Sequence, residues 1–210
     1  MSDNSVVLSF HETLLRRSDV DLLKGPFWLN DKIISFYFEY LEKNTYKDEN
    51  KLLFISPEVT QCLKISPARE LGIFLTPLAI EERQFIFMAL NDCELVESPG
   101  GTHWSLLVYS KPEETMYHFD SSSGSNFKQA CKLSTNFFKY LKIASNFIEI
   151  ESLQQTDSYN CGIHLICNVD LVADFCSKYG KVEGCGIVDR SLVASKRTDV
   201  LDLIEKLDEQ

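Results

Sequence analysis

Gly100-Gly-Thr-His-Trp-Ser-Leu-Leu-Val-Tyr109, Ser110-Lys-Pro-Glu-Glu-Thr115 and Met116-Tyr-His-Phe-Asp-Ser121 read as two strands, His103 to Tyr109 and Met116 to Ser121, joined by a polar loop. Their proximity in sequence predicts an antiparallel hairpin. Further strand signals lie on either side. Phe85-Ile-Phe-Met-Ala-Leu90 is a short apolar run ending at the turn-formers Asn91-Asp92, and Phe147-Ile-Glu-Ile-Glu151 alternates. Helix signals flank this cluster. Asn30 can cap a helix from Asp31 to about Lys43, with Ile33, Ile34, Tyr37, Phe38 and Leu41 on its buried face. Ser56-Pro57 and Ser66-Pro67 each place a cap residue before a first-turn proline, predicting two short helices. Ser9-Phe-His-Glu12, with Leu14 and Leu15 behind it, is a capping-box pattern and predicts another helix start. Phe127, Cys131, Phe137, Phe138 and Leu141 mark a long helix. Ile163, Ile166, Cys167, Val169 and Val172 mark one from Gly162 to about Ser177. Helices, then clustered strands, then helices form an α+β order rather than a βαβ repeat.

Residues 1–210 read as one domain. The three glycines of Tyr179-Gly-Lys-Val-Glu-Gly-Cys-Gly186 are expected to hinge a C-terminal helix rather than open a second unit. A chain of this length buries roughly 70% of its unfolded surface and needs no staples. Its 44% hydrophobic and 25% charged residues exclude disorder, collagen and coiled coil. No apolar run approaches the ~18 residues of a membrane span. The start, Met1-Ser-Asp-Asn-Ser5, lacks the basic and apolar regions of a signal peptide. The chain is therefore expected inside the cell, in cytoplasm or nucleus, with its seven cysteines as thiols. The balance of 21 basic and 31 acidic residues, −10, disfavours nucleic acid and anionic membranes and favours a basic partner. Glu81-Glu82 and Glu113-Glu114 read as solvated loop charges that add to such steering. With no extended arm, a monomer is expected.

The chemistry lies in the second half. No Cys-x-x-Cys or spaced His pair suggests a structural zinc site. Cysteines 62, 93, 131, 167, 176 and 185 lie mostly among apolar residues and read as small hydrophobes. Cys161 differs, because the polar turn Leu153-Gln-Gln-Thr-Asp-Ser-Tyr-Asn-Cys-Gly162 leads it into a helix. Two readings stand, a buried cysteine at a helix start and a nucleophile. Free amides at a helix N-terminus favour a thiolate, and the polar flank favours the nucleophile. Such a thiol needs a base and a group to orient it. His11 reads as a surface residue in a first helical turn, and His164 follows Cys161 on the same helix. His118 shares a face with Asp120 on the second strand of the hairpin. His103 and Asp120 fit a cross-strand pair best, both lying at strand ends away from the loop.

His103-Trp104, then Phe119-Asp120, then Gln155 six residues before Cys161-Gly162, with Trp28-Leu-Asn-Asp31 near the N-terminus, resemble the ubiquitin-like-protein-specific cysteine proteases, the Ulp/sentrin-specific family. Val6-Val-Leu-Ser9, Phe54-Ile-Ser-Pro-Glu-Val-Thr-Gln61, Gly100 to Tyr109 and Ile166-Cys-Asn168 are similar to the deneddylase branch of that family. The resemblance runs from about residue 6 to 175. It implies a papain-like fold, a mixed central sheet flanked by helices, with the catalytic cysteine at a helix N-terminus. It also implies cleavage after the C-terminal Gly-Gly of a ubiquitin-like modifier. For this branch that is the neddylation modifier, matured from its precursor or removed from lysines of conjugates such as cullins. No cofactor or metal is implied.

By that resemblance Cys161 is the nucleophile, His103 its base, Asp120 the residue orienting the base, and Gln155 the oxyanion donor. Gln154 is adjacent, and the choice rests on the family spacing. Trp28 and Trp104 would sandwich the diglycine, and Asp31 would meet a basic residue of the modifier. Core packing for the indoles and helix-dipole stabilisation for Asp31 are the plainer readings. The family often has Asp before the nucleophile where this chain has Asn160, which is expected to relieve like-charge repulsion at a thiolate. A SUMO-specific isopeptidase, an acyltransferase of the same clan and an inactive binding module are the rival classes.

Overall fold

The computed structural model describes residues 4–94 and 100–209. The first three residues, on which the reading of the N-terminal start partly rests, lie outside that range.

The chain opens with a hairpin, β1 (Val6–Phe10) and β2 (Thr13–Arg16), where the sequence predicted a helix start at Ser9. His11 takes a left-handed φ of 44°, and the Glu39 carboxylate accepts from the Glu12 and Thr13 amides. Leu8, Thr13 and Leu15 are buried while Leu14 and Arg16 are exposed, the alternation of a half-covered ribbon. That alternation overrides the local capping pattern. A single turn, α1 (Arg17–Val20), follows, then α2 (Asp31–Tyr40), with Asn30 Oδ1 accepting from the Ile33 amide as its cap. The helix widens into a π turn over Leu41–Thr45.

A five-stranded sheet forms the centre. Its order is β3 (Leu52–Ile55), β4 (Phe85–Asn91), β5 (Trp104–Ser110), β6 (Thr115–Phe119) and β7 (Phe147–Ile150). The β3–β4 and β6–β7 pairs are parallel, and β4–β5–β6 is antiparallel, so the sheet is mixed. Helices cover both faces, which is why its central strands read as near-continuous apolar runs. Phe85, Phe87 and Ala89 of β4 join Leu106 and Val108 of β5 in one core with α2 and α6 (Cys161–Tyr179). Ile86, Met88, Leu90, Leu107 and Tyr109 face the other side, against α3 (Pro57–Ile65), α4 (Gly72–Leu75) and α5 (Phe127–Leu141).

The segment from Ser66 is a 3-10 turn over Ala68–Glu70; Pro67 precedes it without a side-chain cap bond, and Ser66 instead closes the helix over Pro57–Ile65. The 179–186 segment is a tied connector rather than a hinge. Glu113 accepts from the Val182 and Glu183 amides and from the Tyr117 hydroxyl, and Val182 is fully buried. Glu113 is thus an anchor, not the solvated loop charge its neighbours suggested. Beyond it, α7 (Arg190–Asp208) buries Val200 and Ile204 in the first core. Among the described residues no helix is long and apolar enough to cross a membrane.

Candidate active site

The β5–β6 register pairs Leu106 with Phe119, which sets His103, just before β5, diagonally from Asp120, just after β6. His103 Nε2 donates to Asp120 Oδ1 at 2.6 Å. The other ring nitrogen is free of Asp120, and the Cys161 side chain is near enough to act electrostatically on the imidazole. All three groups are buried. Burial alone would pull the imidazolium down, but the hydrogen bond to Asp120 and the nearby Cys161 side chain more than reverse this and raise His103 to about 9. Burial likewise opposes the Asp120 charge. The His103 bond and the amides of Ser122 (2.9 Å) and Asn126 (3.1 Å) outweigh it and hold the carboxyl below its usual range.

Each member is fixed by its surroundings. Asp92 accepts from the amides of Thr102 (2.6 Å) and His103 (3.1 Å) and from the Thr102 hydroxyl, pinning the start of β5. Buried Lys64 donates to the carbonyls of Asn91 and Cys93 beside it. Gly101 adopts φ 96°, and a Cβ there would overlap the Asn91 side chain, so only glycine fits. Cys161 is the first residue of α6, and the Asn160 side chain makes no cap bond, leaving the first-turn amides uncapped by it. Gly162 lets the helix approach the Leu29 side chain, whose Cβ would be 3.0 Å from an added methyl.

The turn before Cys161 carries a carboxylate of its own. Asp157 Oδ1 accepts from the amides of Tyr159 and Asn160, and its Oδ2 from Asn160 Nδ2. Asp157 thus holds the turn together from three residues before Asn160. Gln155 is pinned between Ser121, whose hydroxyl donates to Oε1 (2.8 Å), and the Asp157 carbonyl, which accepts from Nε2 (2.7 Å). Gln154 uses its amide nitrogen on two carbonyls, Asp120 and Ser152.

The other histidines stand apart from this series. His118 is buried between Glu149 (3.0 Å) and the Ser105 hydroxyl (2.9 Å), and His164 is held low by burial. His11 is exposed in a hairpin turn, not in a helix. Cys167, Cys176 and Cys185 are core thiols raised by burial, whereas Cys62, Cys93 and Cys131 are only half-buried. Among the described residues no group of three or more His, Cys, Asp or Glu could hold a metal ion.

Both indoles border the stretch before α2: Trp28 lies within it, and Trp104 bonds to the Leu29 carbonyl. Trp28 is 48% exposed, which excludes ordinary core packing, and its Nε1 donates to the Ser158 carbonyl. Trp104 is half-buried and donates to the Leu29 carbonyl at 2.9 Å. Asp31 lies in the first turn of α2, partly exposed, and accepts from the Lys32 amide. Sequence reasoning missed Asp92, Asp157 and the distant Arg197, which donates to Asn160 Oδ1 at 2.9 Å.

A buried thiol beside an imidazole that is itself hydrogen-bonded to a carboxylate offers the working parts of a cysteine protease. Comparison with known proteins narrows the class: the chain belongs to the Ulp1 protease family, whose C-terminal catalytic domain matches residues 27–178. Sentrin-specific protease 8 of Mus musculus is 38% identical over 208 residues, covering 96% of this chain and 93% of that protein. NEDD8-specific protease 1 of Arabidopsis thaliana is 31% identical over 220 residues, covering 100% and 92%. The crystal structure of the C-terminal Ulp1 protease domain in complex with Smt3, the yeast ortholog of SUMO, superposes with a TM-score of 0.75. It covers 100% of this chain and 91% of that one, and at 19% identity it speaks for the fold alone.

Proposed function

We propose that this protease is a deneddylase. It hydrolyses the bond after the C-terminal Gly-Gly of the neddylation modifier, in the precursor and on the lysines of conjugates such as cullins. The observation that carries this reading is the buried, hydrogen-bonded His103–Asp120 pair beside the Cys161 thiol. The choice of modifier rests on the relatives named for NEDD8 and sentrin cleavage.

In this reading the Cys161 thiolate attacks the terminal glycine carbonyl while the His103 imidazolium stands ready as acid. The Cys161 amide and Gln155 Nε2 stabilise the oxyanion. One of the two Gln155 N–H bonds is engaged by Asp157, leaving the second to donate. Gln154, with its nitrogen bonded to two carbonyls, is less suited to the task. His103 then protonates the leaving amine, the thioester forms, and His103 takes a proton from the water that hydrolyses it. Asp120 keeps the imidazole in the orientation and tautomer that both transfers need. Trp28 and Trp104 wall the diglycine channel, where any side chain larger than hydrogen would clash. Asp31 and the chain's overall negative charge meet a basic surface of the modifier.

Gln155→Ala is expected to lower kcat by ~10²-fold with KM little changed, since the donor acts on charge that develops in the transition state. A rise in KM alone would make Gln155 a ground-state contact. The functional reading is tested by kcat/KM on fluorogenic C-terminal amides of the neddylation modifier, SUMO and ubiquitin. Preference for the first supports it. Preference for SUMO, or transfer of acetyl from acetyl-coenzyme A without hydrolysis of any amide, would replace it.

A further inference from the structure

The family match ends at residue 178, yet α7 reaches back to the site. From its middle, Arg197 donates Nη1 to the Leu22 carbonyl and Nη2 to the Phe27 carbonyl, both at 2.7 Å. Its Nε donates to Asn160 Oδ1 at 2.9 Å, Nη2 also reaches the Tyr159 carbonyl at 3.4 Å, and the guanidinium lies 5.5 Å from the Tyr159 ring centroid. One side chain thus joins two segments far apart in sequence. The first, Leu22 to Phe27, runs directly into Trp28. The second, Tyr159-Asn160, runs directly into Cys161.

We propose that Arg197 is a positioning residue for the reaction: it fixes the spacing between the Trp28 segment and the Cys161 segment, and so the fit of a narrow glycine acyl chain between them. The proposal rests on the reading that Cys161 is the nucleophile and Trp28 lines the channel. The acceptors are neutral oxygens pointing in different directions, a task that suits a rigid five-donor fork and not a single ammonium. The helix itself is anchored by other means. Val200 and Ile204 are buried in the core, and Lys196 pairs with Asp170 at 2.8 Å, which also accepts from the Tyr37 hydroxyl. The Asp157 carboxylate and the Cys161 sulfur both lie within electrostatic range of the guanidinium.

Steady-state kinetics on the modifier amide, with the urea midpoint measured on the same preparations, test this. Arg197→Ala and Arg197→Lys should each lose about 10- to 100-fold in kcat/KM, mainly through KM, as displacement of a channel wall by about an ångström would cause. Should Arg197→Ala not fold, Arg197→Lys, which keeps the charge and stem, carries the comparison. Lys196→Gln loosens the same helix without touching either segment, and its KM should stay within about twofold of wild type. Arg197→Lys at wild-type kcat/KM would overturn the proposal, because a generic positive charge would then suffice. Lys196→Gln raising KM as much as Arg197→Lys would also overturn it, because helix docking alone would be responsible. Wild-type chain inert toward every modifier amide would instead remove the functional reading on which the proposal rests.

Discussion

Cys161→Ala is expected to show no measurable turnover of the modifier amide while binding the intact modifier about as tightly as wild type. In the proposed mechanism the substitution removes the sulfur that forms the acyl bond, while the outer surface and both indoles are untouched. Its structural cost should be small. The site is already the first residue of α6, and alanine is compatible with that position. Binding by calorimetry and turnover by fluorescence on one preparation separate the two effects. Residual turnover at a substantial fraction of the wild-type rate would exclude Cys161 as the nucleophile.

Asp120→Asn should lower kcat/KM by about 10²- to 10⁴-fold and change its pH dependence, because the amide neither holds the imidazole in the required tautomer nor supports its charge. His103 is raised to about 9 despite burial, chiefly by its bond to Asp120. The proton-donating imidazolium therefore persists through neutral pH and is lost as pH rises through about 9. That predicts an alkaline limb in kcat/KM near 9 for the wild type, moved to lower pH in the variant. Stability follows the same sign. A group whose folded pKa lies above its unfolded value, near 6.5, contributes stability fully below that value and loses it as pH rises through the folded one. Urea midpoints of the wild type should thus fall between about pH 6.5 and 9, and the variant should show a flatter dependence. An unmoved alkaline limb in Asp120→Asn would assign the raised imidazole to another cause.

Much of this architecture can be read from local pattern. The caps at Asn30 and Ser56, the long apolar faces of α5 and α6, and the runs that form β4 to β7 each carry a period or a stop signal of their own. Leu52–Ile55 does not, since four apolar residues show no period, and only pairing with β4 makes them a strand. Ser9 to Glu12 carries a misleading signal. A capping box is a three-residue interval, and the hairpin is decided instead by Glu39, 26 and 27 residues away, and by which leucines find the core.

The site divides along the same line. The 4 histidines and 7 cysteines are few enough for His103 and Cys161 to be singled out, and hairpin geometry pairs His103 with Asp120. Asp92, Asp157, Glu113 and Arg197 look like ordinary surface charges in sequence, and each acquires its role through bonds formed only on folding. Arg197 joins atoms 37 to 175 residues distant. No local window contains that information.

The central claim, that Cys161 is the nucleophile toward the modifier's terminal glycine, is tested most directly by covalent capture. Wild-type protein incubated with the neddylation modifier carrying a C-terminal thiol-reactive electrophile is resolved by intact mass spectrometry and peptide mapping. One modifier should be found per chain, attached to Cys161 alone among the seven cysteines, with no capture in Cys161→Ala. Attachment to any other cysteine, or no attachment by a folded chain, would contradict the account.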